Sequence, residues 1–139
     1  MGTTNVNKNK LVLKVDSAGT LLTPTNAELN QAADNSLQVV AGTTSANLPN
    51  WGVSTLDMSA GSTYTMDAPV AGVEKTIAYI STGTDAAVVS SGSTGITFNG
   101  LTAHQLTLNA QNEGVILRGL SATRWFIVSN MNSVGLSTG

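Results

Sequence analysis

The 139-residue chain is 41% hydrophobic, which is typical of a folded domain with its own core rather than of a disordered segment. Only 10% of its residues are charged, and serine and threonine make up about a quarter, so we expect a neutral polar surface that loses little side-chain entropy when a partner covers it. Six basic residues against eight acidic ones do not form the clustered basic face of a nucleic-acid-binding protein. The absence of cysteine excludes disulfides and thiolate metal sites.

No apolar run approaches the length of a membrane span. The first residues do not have the charged-then-apolar form of a secretory signal. The sequence therefore predicts a protein made in the cytoplasm, with no membrane partner.

The N-terminal segment contains all the basic residues of the first half of the chain, Lys8, Lys10 and Lys14. Residues 1–9 have little to bury and are expected to form an arm, while the alternation in residues 10–15 predicts a strand. An edge strand can add to another sheet, and a basic arm suits an acidic surface, so the three lysines are predicted to attach the protein to a partner surface. A tethered terminus with solubilising lysines explains the same residues equally well.

A hairpin and a short helix are predicted next. Residues 16–19 are turn formers, and residues 20–22 predict a return strand. Pro24 in a first helical turn, a capping box at Thr25–Glu28 and the helix formers of Ala27–Ala33 then predict a helix. About three turns at most are expected, too short for a helix that is stable alone.

From Leu37 onward the sequence predicts strands only, because turn signals recur roughly every 8–12 residues and no helical periodicity is present. The clearest turn signal is Asn99-Gly100, a pair that tolerates positive φ. The predicted strands are Leu37–Ala41, Val53–Met58, Ser62–Met66, Lys75–Ser81, Ala86–Ser91, Thr94–Phe98, Thr102–Asn109, Glu113–Arg118 and Arg124–Ser129. The predicted fold is therefore all-β, an antiparallel β-sandwich or small barrel at residues 37–139, preceded at residues 1–36 by the arm, the hairpin and the short helix.

Apolar residues two positions apart predict which strand faces point inward. The pairs are Leu56 with Met58, Tyr64 with Met66, Ile77 with Tyr79, Ile96 with Phe98, and Leu106 with Leu108.

Two strands are apolar on both faces, in the segments Glu113–Arg118 and Trp125–Val128. Such a strand lies in the centre of a core, or its outer face is covered by another subunit. With so little helix to cover a sheet, the sequence favours another subunit. The predicted oligomer interface consists of Val115, Leu117, Trp125 and Ile127.

Catalytic chemistry is not favoured. His104 is the only histidine, has no G-x-S-x-G nucleophile motif to accompany it, and shares its predicted strand face with Leu106 and Leu108, so a core or interface position is favoured. Asp57 and Asp67 flank a predicted hairpin, but both are expected to point outward as solvated surface rather than into a cleft. We predict no catalytic, metal-binding or cofactor-binding residue.

Trp51 is the one candidate for a ligand contact. It follows Pro49-Asn50 in a predicted loop, where an aromatic ring can serve as a platform for a sugar. A loop tryptophan packed on the core or on a neighbouring chain is the favoured interpretation.

Three stretches of the chain have a recognisable pattern: GSTYTMDAPVAGVEKTI at residues 61–77, LRGLSATRWFIV at residues 117–128, and TPTNAELNQAAD at residues 23–34. Together they resemble small proteins encoded among the head genes of tailed bacteriophages, the head-decoration and head-fibre proteins. The resemblance extends over about residues 23–128, and its motifs are structural rather than catalytic.

This resemblance implies a non-enzymatic virion component, made in the host cytoplasm and carried on the outer capsid surface. It implies a homotrimer at a symmetry axis of the particle, whose N-terminal region binds the major capsid protein. Two alternatives stay open: a tail-fibre or receptor-binding module that binds a glycan, and a hydrolase that depends on His104 or Asp57.

Overall fold

The computed structural model of the protein describes residues 37–41, 45–57, 61–83, 85–99 and 102–138. The arm, hairpin and helix predicted for residues 1–36, and with them the three attachment lysines, lie outside these ranges. They stay predictions, as does the predicted division of the chain between residues 1–36 and residues 37–139.

All regular structure in the described ranges is β-strand, so the all-β class is confirmed. In chain order the strands are β1 (Leu37–Ala41), β2 (Asn47–Leu48), β3 (Gly52–Asp57), β4 (Ser62–Met66), β5 (Glu74–Tyr79), β6 (Ala87–Ser90), β7 (Thr97–Phe98), β8 (Gln105–Leu108), β9 (Gly114–Ser121), β10 (Arg124–Met131) and β11 (Gly135–Ser137). β1 and β4 have the predicted bounds, while β2 and β11 have no predicted counterpart because two or three residues show no alternation. These ranges contain no helix, and hence none that is long and apolar enough to cross a membrane.

The strands form two mixed sheets. One has six strands in the order β1-β3-β5-β9-β10-β7, and the other has five in the order β11-β8-β6-β4-β2. Five of the nine strand pairs are parallel and four are antiparallel. The predicted antiparallel pairing is therefore wrong for more than half of the pairs, and neither sheet closes into a barrel within the described ranges.

Parallel pairing arises because consecutive strands lie in different sheets. From β1 to β6 each strand pairs in parallel with the strand two positions along the chain. Two strands thus make one turn of a flattened coil, and β1–β2, β3–β4 and β5–β6 are three successive turns. Parallel strands need a long crossover connection, and here the intervening strand of the other sheet supplies it. Turn signals alone do not distinguish this path from a series of hairpins.

Most of the strands after the last turn pair in antiparallel orientation, and the exception is β7, which is parallel to β10. β9 pairs with β5 in the larger sheet, β8 pairs with β6 in the smaller one, and β10 and β11 continue them. At the opposite end, β1 and β2 are the terminal strands of their sheets.

One hydrophobic cluster contains side chains from both sheets. Its buried members are Leu48, Leu56, Tyr64, Met66, Ile77, Tyr79, Ala87, Val89, Phe98, Leu106, Leu108, Val115, Leu117, Trp125 and Val134. Three predicted inward pairs, on β4, β5 and β8, are confirmed in full. Phe98 is buried while Ile96 is only partly so, and Met58 lies outside the described residues.

Two tight backbone features fix the sheet ends. Asn99 has a φ of 58°, as its pairing with a following glycine predicts, and its Oδ1 accepts a hydrogen bond from the backbone N of Ile127 at 2.9 Å. On β9, a Cβ added at Gly119 would lie 2.1 Å from the carbonyl oxygen of Val70. Only glycine lets the loop before β5 approach β9 so closely.

Candidate interaction surface

The described residues contain no grouping that resembles a catalytic centre. The Nδ1 of His104 lies 3.0 Å from the carbonyl oxygen of Thr102 two residues earlier, and the main chain of His104 bonds to Ser91 and Ser137. No group of three or more histidine, cysteine, aspartate or glutamate residues in the described part of the chain is placed to hold a metal ion. The main chain of His104 thus links the segments that follow β6 and end β11, while its side chain is only partly buried.

The two aspartates considered as a pair are kept apart by a strand. Asp57 is the last residue of β3 and Asp67 follows β4, whose five residues span about 17 Å. Both side chains are exposed, as the sequence predicts, and Asp67 accepts a hydrogen bond from Nδ2 of Asn47 at 2.7 Å. They belong to opposite ends of β4 rather than to one cleft.

Lys75 is the chemically unusual group, because its side chain is 0% exposed. Its Nζ donates hydrogen bonds to the carbonyl oxygen of Trp51 at 3.0 Å and to the Oγ of Ser54 at 2.6 Å. Burial lowers the pKa of Lys75 from 10.5 to about 8, while the negative charge of Asp67 acts in the opposite direction. No sequence pattern distinguishes Lys75 from the other positions of its strand.

The Lys75 contacts belong to a chain of hydrogen bonds across the first three turns. The Oγ of Ser54 donates to the Oε1 of Gln38 at 2.7 Å, and the Nε2 of Gln38 donates to the carbonyl oxygen of Asn47 at 3.2 Å. This network joins β1, β2, β3 and β5 from the inside. It positions these strands relative to one another.

The outer face of the six-stranded sheet is apolar, and we call its central part the outer band. The outer band consists of Leu37 and Val39 on β1, Val53 on β3, Ile116 on β9, and Phe126 and Val128 on β10. Leu37 lies opposite Val53, which lies opposite Thr76 of β5, which lies opposite Ile116. Thr76 separates Val53 from Ile116, and Ile116 lies opposite Ser129 of β10. The apolar positions of the outer band therefore extend across the sheet with polar residues between them.

The outer band is strongly exposed. Leu37, Val39, Phe126 and Val128 are 60%, 59%, 49% and 48% exposed, respectively. Leu120 on β9 and Met131 on β10 are also exposed. Exposed apolar side chains gathered on one face of a sheet are typical of a binding surface.

Few charges interrupt this face. On β1, β3, β5 and β9 they are Asp57 at one end and the ion pair of Glu74 with Arg118, whose Oε2 and NH2 atoms are 2.8 Å apart. Both partners are about half exposed, so the pair adds little stability, and Arg118 lies opposite Phe126. On β10 itself, the exposed Arg124 lies two residues before Phe126. The outer band is therefore mainly apolar, with these charged residues beside it.

The predicted interface residues lie on the other face of the same strands. Val115, Leu117 and Trp125 are 0% exposed within the single chain, and Ile127 is partly buried against the core. Within one chain these four residues pack inward, and alternation alone does not say which side of a two-sided strand faces the core. Their role in an oligomer interface stays a prediction. The apolar surface open to a partner comes from the positions between them.

Neither a scan against protein-family models nor a search of curated proteins finds a match to this chain.

Proposed function

We propose that the protein is a non-enzymatic structural component of a bacteriophage virion, a head-decoration or head-fibre protein that assembles as a homotrimer on the outer capsid surface. The observation that carries the proposal is the outer band, an exposed apolar sheet face with few charges. Water-exposed apolar side chains in contiguous strands favour association with another protein surface. The head-gene resemblance of residues 23–128 suggests which assembly this is.

The proposed mechanism is binding alone. Outer bands of sister chains cover one another and bring several N-terminal arms together, each with Lys8, Lys10 and Lys14. Several weak arm contacts with the major capsid protein then add up to tight attachment, because each later contact is intramolecular. For the domain itself we infer a β-sandwich preceded by a short helix, and the single hydrophobic cluster that both sheets share supports the sandwich.

Light scattering coupled to size exclusion tests the assembly step. At micromolar concentration the wild-type protein is expected to have the mass of three chains, and the double variant Phe126→Ser, Val128→Ser the mass of one. Leu136→Ser is the matched control, because Leu136 is 43% exposed but lies on β11 of the other sheet. A wild-type protein that runs as a single compact chain would rule out the homotrimer.

Binding to the particle needs a separate measurement. Purified protein mixed with undecorated capsids is expected to bind saturably, at a number of sites that matches a symmetry axis of the particle. Binding that never saturates, or none at all, would contradict the decoration role even if the homotrimer forms.

A receptor-binding or tail-fibre module is the second candidate, favoured by the partly exposed Trp51 in the loop between β2 and β3. This role predicts a glycan-array signal that Trp51→Ala abolishes. Because the Trp51 carbonyl rather than its ring holds Lys75, the substitution should leave the fold intact.

A further inference from the structure

β1 is the longest of the terminal strands in the described part of the chain, and one of its edges is unpaired there. The terminal strands of the two sheets are β1, β7, β11 and β2. β1 has five residues, whereas the other three have two or three. Every second backbone amide of β1 faces away from β3 and has no strand to bond.

This edge has none of the features by which proteins prevent strand addition. Natural edge strands are protected by charged residues, proline, bulges or very short length. The segment Leu37–Ala41 reads LQVVA, and no charged residue occurs between Asp34 and Asp57. A five-residue, uncharged, β-branched edge therefore favours a further strand beside it.

The inner side of β1 is incompletely covered as well. Val40 and Ala46, in the first turn of the coil, are only partly buried although they pack against the core. A strand added beside β1 with apolar residues on its inner face would complete their burial. In coiled β architectures the terminal turn needs such a cap, and antiparallel strands supply one only at the other end.

We propose that residues 10–15 of the same chain add to the free edge of β1 as a further parallel strand. Leu11, Leu13 and Val15 would face inward beside Val40, which leaves Lys10 and Lys14 on the outer side, where they stay available to a partner. This proposal concerns how the domain is completed and does not depend on the virion role.

The length of chain before β1 suits this occupant. Residues 16–36, 21 in all, connect the proposed strand to Leu37 and can extend to about 70 Å, several times the length of β1. A parallel strand pair needs a connection of about a dozen residues or more, commonly a helix, and a helix is predicted at Ala27–Ala33. The tether also holds the segment at millimolar effective concentration, about a thousandfold above a sister chain at micromolar concentration.

Hydrogen exchange of the full-length protein tests the proposal. The amides of Leu37–Ala41 that face away from β3 are expected to exchange at least about tenfold more slowly than exposed amides, and Leu13→Asp is expected to abolish that protection. Lys14→Asp is the matched control, because it places the same charge on the outer side of the strand and should preserve protection. Unprotected amides in the wild-type protein would overturn the proposal, and so would protection that Leu13→Asp leaves unchanged.

A cysteine pair identifies the occupant without a destabilising charge. The chain has no cysteine, so Leu13→Cys with Val40→Cys gives a unique pair for a short thiol cross-linker. The expected product has the mass of one cross-linked chain, in a yield well above that of Lys14→Cys with Val40→Cys. A product of two chains would show that a sister copy supplies the strand, and no product would exclude the segment; either result overturns the proposal, and neither bears on capsid binding.

Discussion

The Nζ of Lys75 lies 2.6 Å from the Oγ of Ser54, so a charged group is held inside the protein by a hydroxyl rather than by a carboxylate. No ion pair of Lys75 occurs within the described ranges, where the only one is Glu74 with Arg118. A buried charge without an ionic partner destabilises the folded state. The titration of Lys75 therefore makes the free energy of unfolding depend on pH in the alkaline range.

We predict that the protein becomes more stable as the pH rises from 8 to 10.5. The pKa of Lys75 is about 8 in the folded protein and 10.5 in the absence of the fold. Below pH 8, Lys75 is protonated in both the folded and the unfolded protein. Burial of its positive charge then destabilises the folded state by about 3 kcal/mol. Between the two values only the unfolded state holds the proton, so stability rises with pH. Urea unfolding at intervals from pH 7 to 10.5 measures this rise, and a flat or falling profile would contradict the assignment.

The variant Lys75→Met tests the origin of that rise. Methionine has a similar length and no charge, so its unfolding free energy should show no rise between pH 8 and 10.5. At pH 7 the variant is expected to be at least about as stable as the wild type, because it buries no charge. The loss of the hydrogen bond to the carbonyl oxygen of Trp51 acts in the opposite direction. A Lys75→Met profile that still rises would assign the effect to another group.

Trp125 and Phe126 are neighbours with opposite roles, and their alanine variants should separate stability from association. Trp125 is 0% exposed and Phe126 is 49% exposed. Trp125→Ala should destabilise the fold by about 3–5 kcal/mol, whereas Phe126→Ala should change the stability of the isolated chain by less than about 1 kcal/mol. Thermal unfolding in dilute solution compares them, and similar losses would contradict the inward and outward assignment.

Gly119 is predicted to tolerate no side chain. A Cβ there would lie 2.1 Å from the Val70 carbonyl oxygen, and since this neighbour is backbone, the loop itself must move. Gly119→Ala should cost about 3 kcal/mol or more. Gly135→Ala is the control, because the nearest atom to its added Cβ is 3.6 Å away, and it should have almost no effect on the melting temperature.

His104 is predicted to be dispensable for chemistry. His104→Ala and Asp57→Ala should fold and bind as the wild type does. Neither they nor the wild type should turn over glycans or esters. Wild-type turnover that His104→Ala removes would revive the hydrolase alternative.

The amino-acid pattern by itself determined where most of the strands lie and which side chains of β4, β5 and β8 point inward. Alternation is a local property, since successive strand residues point to opposite faces whatever the strand pairs with. The turn at Asn99 was likewise predictable, because a positive φ selects asparagine and glycine.

Only the tertiary structure decided how those strands pair. From β1 to β6, consecutive strands enter different sheets, so each strand pairs in parallel with the strand two positions away in the chain. No local sequence pattern predicts this pairing. The same holds for the two-sided strand β10, where packing against the opposite sheet decided that Trp125 is buried and Phe126 is exposed. The burial of Lys75 also follows from the neighbouring turn rather than from its own strand, because its partners Trp51 and Ser54 lie more than twenty positions earlier in the chain.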